Sequence, residues 1–284
     1  MGRNKVVLKT LLYSDIFDYP LRKEEIWDFL ISEKEIDKKD FLSGLTKDMN
    51  IQKQEKFYFI KGREELVSLR KNREAFSLEK IKKENSIARF LSLIPTVKFI
   101  GISGSLALKN SNPEEDIDFF VITAGGSLWV TRFLMVTILK VLRKYREKKS
   151  LNVKDKICLN MFISEDSLQL SKQRQNLFTA HEVIQVLPVF SRDHTYEKFL
   201  RNNKWIGNFL VNFKAKKPSI EKEDSKALIN FLKLTESVFY KLQLFLMKKD
   251  ITSEEVGRKI AAFHPVDYSR KTMKEYEKRL KKYE

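Results

Sequence analysis

The stretch TVKFIGISGSLALKNSNPEEDIDFFVIT, residues 96–123, constrains the fold more than any other part of the chain. Residues 96–103, TVKFIGIS, are apolar and β-branched, which reads as a strand. Gly104-Ser105 turns the chain into a short helix or turn. Asp116 and Asp118 then stand one residue apart at the head of a second apolar run, residues 119–122. On a strand, residues i and i+2 leave the same face, about 6.5–7 Å apart along it. Ile117 therefore points into the core and both carboxylates point away from it. At roughly 5 Å and an effective dielectric near 20, two ionised carboxylates repel by about 3 kcal/mol. A divalent cation offsets that repulsion, and Mg2+ takes oxygen ligands from one or two carboxylates, water and substrate phosphates. Gly104 lets the backbone approach a ligand closely. Ser105 offers a hydroxyl and free N–H groups to an anion. Together, between two apolar strands, the halves point to a metal–phosphate site.

Charge agrees with an anionic ligand. The 284 residues include 55 Lys+Arg against 38 Asp+Glu, a net +17, which suits nucleic acid, nucleotide phosphates or an acidic membrane face. A solvated lysine-rich surface is the plainer explanation. The single cysteine, Cys158, excludes an intrachain disulfide and makes a reducing cytoplasm the expected setting. The first twenty residues are too broken by charge to be a signal peptide. The most apolar helical segment, residues 128–142, carries Arg132 and Lys140 and falls short of the roughly 20 residues that span a bilayer. No membrane association is expected.

The rest of the chain divides around this stretch. Residues 1–62 read as three helices and a β-hairpin: helices at 6–13, RKEEIWDFLIS and DKKDFLSGLTKDM, then the strands IQKQ and KFYFIKG. Asp37 is the expected N-cap of the third helix, with Phe41, Leu42, Leu45 and Met49 on one face. This element order resembles a winged helix-turn-helix, with Lys38, Lys39 and Lys47 near its recognition helix. The module either reads DNA or packs on its neighbour. Residues 63–94 form a long connecting helix whose basic side (Arg70, Lys71, Arg73, Lys80, Lys82, Lys83) faces either a phosphate backbone or solvent. Residues 95–213 alternate strand and helix, with a third strand at ICLNMFIS and a helix over 125–149. The pattern from 171 onward is mostly helical. Residues 214–225 are the expected linker to a C-terminal helical region, 226–284. The expected class is α+β.

Ser103-Gly104-Ser105, ten intervening residues, and then Asp116-Ile117-Asp118 opening the run Phe119-Phe120-Val121 resemble the DNA polymerase beta-like nucleotidyltransferases, especially the minimal ones. The flanks look like a bacterial group that places a winged-helix-like segment before such a domain. The resemblance covers residues 96–165 and implies a polymerase-beta-like mixed sheet. It implies that Ser103, Gly104 and Ser105 bind the phosphates of a nucleoside triphosphate, and that Asp116 and Asp118 are the catalytic carboxylates, holding Mg2+ or Mn2+. Lys109 is a further phosphate contact. The implied reaction is transfer of a nucleoside monophosphate to an acceptor hydroxyl on nucleic acid, protein or a small molecule. Catalysis there rests on positioning and charge neutralisation. The family's third carboxylate lies on the next strand, where this chain offers Asn160. Asp155, Glu165 and Asp166 flank that strand as substitutes. The departure keeps open a second outcome, a nucleotide-sensing, nucleic-acid-binding regulator with weak or no catalysis. Arg132, inside an apolar helix, calls for a buried carboxylate or a phosphate as partner. His181, His194 and His264 show no metal-ligand spacing with each other or with Cys158, and His181-Glu182 reads as structural.

Overall fold

The computed structural model describes residues 5–147, 150, 152–222, 226–248, 255–263 and 266–283. The chain is α+β. It begins α1 (Lys5–Asp15), β1 (Leu21–Arg22), α2 (Lys23–Asp28), α3 (Lys38–Lys47), β2 (Ile51–Gln54) and β3 (Phe57–Ile60). The long α4 (Glu65–Leu91) leads into β4 (Val97–Ser103), α5 (Gly104–Ala107), β5 (Ile117–Thr123), α6 (Leu128–Val141) and β6 (Ile157–Ser164). Next come α7 (Leu177–Gln185), β7 (Leu187–Arg192), α8 (Thr195–Asn202) and β8 (Ile220–Lys222). The chain continues through α9 (Lys226–Met247), β9 (Glu255–Val256), β10 (Ile260–Ala262) and α10 (Val266–Lys282).

Strands β1, β3 and β2 form a small antiparallel sheet. A seven-stranded mixed sheet runs β8-β7-β4-β5-β6-β10-β9, with β5/β6 and β7/β8 parallel and the other pairs antiparallel. Strand β4 is buried along its whole length because both sheet faces are covered. One core joins Phe99, Phe120 and Ile122 to α1, α7 and α8. The other joins Ile100, Phe119 and Val121 to α4 and α6. The first core runs without a break into Val7, Leu11 and Leu30 of the N-terminal unit. The N-terminal unit therefore shares one continuous core with that side of the sheet and its helices.

Several expected elements change length. The second helix stops at Asp28 because the backbone beyond it is claimed elsewhere: Ile31 N donates to Thr10 Oγ1 (3.0 Å) and Ser32 N to the Phe209 carbonyl (3.0 Å). Asp37 caps α3, accepting from Lys39 N at 2.6 Å. Phe41 and Leu45 are buried, but Leu42 is exposed and Met49 lies beyond the helix end in solvent. The helix expected over 125–149 ends at Val141. Arg143 adopts φ 55°, and Lys144 N and Tyr145 N both donate to the Leu139 carbonyl, closing the helix. Lys148 and Lys149 lie outside the described residues. Strand β7 replaces part of an expected helical run; its Pro188 sits where the β4/β7 register shifts, a position that tolerates proline. Ile220–Lys222, placed in the expected linker, forms edge strand β8.

The side of α4 expected to face phosphate or solvent is partly interior. Arg70 is fully buried: it pairs with Glu25 (2.9 Å) and lies 3.8 Å above the Tyr19 ring. Lys80 donates to the Glu115 carbonyl at 2.5 Å. Ser77 Oγ accepts from Ser111 N at 3.2 Å. Helix α4 thus holds the loop that delivers Asp116. Among the described residues no helix is long and apolar enough to cross a membrane.

Candidate functional site

The α4-held loop, β5 and α5 converge on a cleft of about 640 Å3. Gly104, Ser105, Glu115, Asp116 and Asp118 line one side. Tyr13, Phe17 and Asp18 line another, and Arg73, Arg174, Glu182, Tyr268 and Lys271 contribute from α4, the segment before α7, α7 and α10. That size suits a small-molecule ligand.

Gly104 is required at its position on two counts. Its φ is +65°, in the left-handed region, and a Cβ there would meet Asp118 Oδ2 at 2.7 Å. The glycine and the aspartate are therefore in intimate contact, consistent with the β4/β5 register, which pairs Ser103 with Asp118. Ser103 is buried, and its hydroxyl donates to the Asp118 carbonyl at 3.4 Å. Ser105 Oγ donates to Glu115 Oε2 at 2.5 Å. Burial raises the Glu115 carboxyl, but hydrogen bonds from Ser105, Asn112 and Ser111 outweigh it and hold the group below its usual value.

Asp116 and Asp118 are both half-buried, and the cleft brings them together. The third group is Cys158: one donor atom from each of the three residues lies within 4.8 Å of the others. Cys158 is the register partner of Asp118 on the parallel strand β6. Between that pair and the next, Phe120 with Met161, β6 holds one residue more than β5, a bulge across Leu159 and Asn160. Asn160 is buried, and its carbonyl accepts from Phe263 N at 2.9 Å; it does not line the cleft. Cys158, the register partner of Asp118, therefore stands beside the aspartates. Burial first, and the charge of Asp118 second, push its thiol up to about 12, so it stays protonated at neutral pH.

Arg146 also meets the acids. Its Nε lies 2.9 Å from Asp116 Oδ2, and its Nη1 donates to Cys158 Sγ at 3.5 Å. The helix stop at Arg143 is what brings it there. Glu182 of α7 is another acid in the cleft, besides Asp18 and Glu115. Burial first, and Asp118 second, push its carboxyl up to about 7. Its charge adds to burial in raising the hydroxyls of Tyr13 and Tyr268, which face it from α1 and α10. The sequence signal for Glu182 was a lone acid within the apolar run LFTAHEVIQ.

The remaining expected residues fall outside the cleft. Lys109 is not among its lining residues. Glu165 accepts from Gly125 N (3.0 Å), Asp166 pairs with Lys259 (3.4 Å), and Asp155 lies near Lys83 (3.5 Å). Among the described residues Arg132 meets no carboxylate: its Nη1 donates to Gln243 Oε1 at 2.6 Å, and its guanidinium lies over the Phe263 ring. His181 is buried and stacks on Tyr13 with centroids 4.2 Å apart. His194 meets Glu197 and Glu221 at an exposed turn, donor atoms within 4.8 Å. His264 lies outside the described residues.

No family model, curated protein or solved structure matches this chain.

Proposed function

We propose that the chain is a divalent-cation-dependent nucleotidyltransferase that moves a nucleoside monophosphate from a nucleoside triphosphate to an acceptor hydroxyl. The observation that carries this reading is the contact of Asp118 with Gly104 at a cleft that also holds Asp116. The donor set fits one hard cation: two carboxylates are present, while the protonated thiol of Cys158 is a poor partner for Mg2+ or Mn2+. Asp116 and Asp118 would hold that ion, which when bound neutralises charge on the transferring phosphate. Arg73, Arg174 and Lys271 supply positive charge to the phosphates. Glu182 accepts the proton of the attacking hydroxyl, a role suited to a carboxyl near pH 7. The hydroxyl oxygen bonds to the α-phosphorus as the bond to pyrophosphate breaks. The single cysteine supports a reducing cytoplasmic setting.

The test is incubation of the full chain with each labelled nucleoside triphosphate, Mg2+ or Mn2+, and RNA, protein or small-molecule acceptors. Label should enter an acceptor with release of pyrophosphate. Glu182→Gln should lower the rate about 10²-fold and abolish the acidic limb of the pH–rate profile, since the base works only when deprotonated. A chain that neither transfers label nor binds nucleotide would end the proposal.

A second reading, a nucleotide-sensing regulator without catalysis, is favoured by Arg146 lying against Asp116 and by a thiol, Cys158, rather than a third carboxylate grouping with the two aspartates. It assigns nucleic-acid binding to the exposed Lys38, Lys39 and Lys47 of α3. Three phosphate contacts predict a loss of duplex affinity of about 40-fold between 50 and 200 mM salt. An unchanged affinity across that range would remove the nucleic-acid half of this reading.

A further inference from the structure

Helix α9 has two apolar faces, and among the described residues only one of them is covered. Its inner face packs on α6, where Phe239 meets Phe133 with ring centroids 4.5 Å apart and Glu236 accepts from the backbone N–H groups of Trp129 and Val130. The outer face carries Phe231, Leu234, Val238, Leu242 and Phe245, all exposed, with Leu234 at 81% and Phe245 at 77%. Their spacing of three, four, four and three residues keeps them in one stripe. The stripe reads the same from either end, in spacing and in residue type: Phe, Leu, Val, Leu, Phe. Leu246 extends it at one end.

We infer that the chain forms a two-fold symmetric homodimer, with two copies of α9 packed antiparallel about Val238. A two-fold interface needs a surface complementary to itself. The palindromic stripe is such a surface: Phe231 falls opposite Phe245 of the partner subunit, and Leu234 opposite Leu242 of the partner subunit. The flanking cations do not oppose one another. Lys233 lies five residues before Val238 and Lys241 three after it, so Lys241 falls opposite Thr235 of the partner subunit. The five side chains leave roughly 700 Å2 in solvent, close to the ~800 Å2 per partner of a standard interface. A stripe of that size is more than a monomer ordinarily exposes.

Sedimentation velocity of the full chain tests the dimer. A dimer is expected at about 50 µM, and Val238→Asp, which sets two charges together on the axis, should weaken it about 100-fold. Val238 is exposed, so the far-UV circular dichroism should not change. Geometry is tested by oxidation. Val238→Cys chains should link to each other, and Phe231→Cys chains should link to Phe245→Cys chains in preference to their own kind. Wild type, with Cys158 alone, is the control. A wild-type monomer at that concentration, a dimer indifferent to Val238→Asp, or self-linking of Phe231→Cys would overturn the inference. So would a monomer that uses the stripe to sediment with phosphatidylserine vesicles.

Discussion

Asp118→Asn is expected to lower cation-dependent nucleotidyl transfer about 10³-fold while leaving the fold in place. A metal-bound transferring phosphate gains several kcal/mol of charge stabilisation, and each 1.36 kcal/mol is a factor of ten in rate. Asparagine keeps the size and one oxygen but removes the charge that a hard cation seeks. The contact with Gly104 should survive, because the amide occupies the same volume against the bare Cα. The experiment has two readouts. Isothermal titration with Mn2+ should show loss of cation binding, and circular dichroism should match wild type. Asp116→Asn should have a smaller effect, because it also frees Arg146, now 2.9 Å away, to pair with a phosphate. Equal transfer by wild type and Asp118→Asn would exclude the carboxylate from the chemistry.

Arg70→Ala is expected to cost about 3 kcal/mol of stability, the low end for breaking a buried ion pair. The guanidinium is fully buried, stacked on Tyr19 and paired with Glu25. The low end applies because Glu25 is partly exposed and keeps Arg22 at 3.2 Å. The substitution also leaves a void against the Tyr19 ring. Arg70 Nη1 further contacts the carbonyl of Leu108 at 3.5 Å, just after α5. The loss should therefore reach the cleft as well as the N-terminal unit. Urea unfolding measures the first effect and nucleotide affinity the second. A change below about 1 kcal/mol would mean that water replaces the guanidinium without strain.

Much of the middle of the fold was legible in the sequence. Strands β4, β5 and β6 occupy the apolar runs assigned to them, because two buried faces produce continuous hydrophobic segments. Strand β7 was hidden by Pro188, which ordinarily argues against an inner strand and is tolerated here by a register shift. Strands β8, β9 and β10 are two or three residues long, too short for periodicity to show. The site was legible where it is local. Gly104, Ser105, Asp116 and Asp118 lie within fifteen residues and meet in the cleft. The partners that come from elsewhere were not. The third strand pointed to Asn160, but the residue in register with Asp118 is Cys158, and the bulge that follows pairs Phe120 with Met161 rather than with Asn160. Arg146 arrives through a helix stop made by a non-glycine residue in the left-handed region, which no helix-ending motif announces. Glu182 owes its raised carboxyl to burial and to Asp118, and it meets Tyr13 of α1 and Tyr268 of α10, segments nearly a whole chain length apart.

The unbroken core between α1 and the sheet has a thermodynamic corollary. Tyr13, Phe17 and Asp18 belong to the N-terminal unit and also wall the cleft. A ligand that fills the cleft therefore adds contacts to the element that carries α3, and anything docked on α3 bears on the shape of the cleft. Linkage makes such an influence mutual: the factor by which one ligand tightens or loosens the other is the same in both directions.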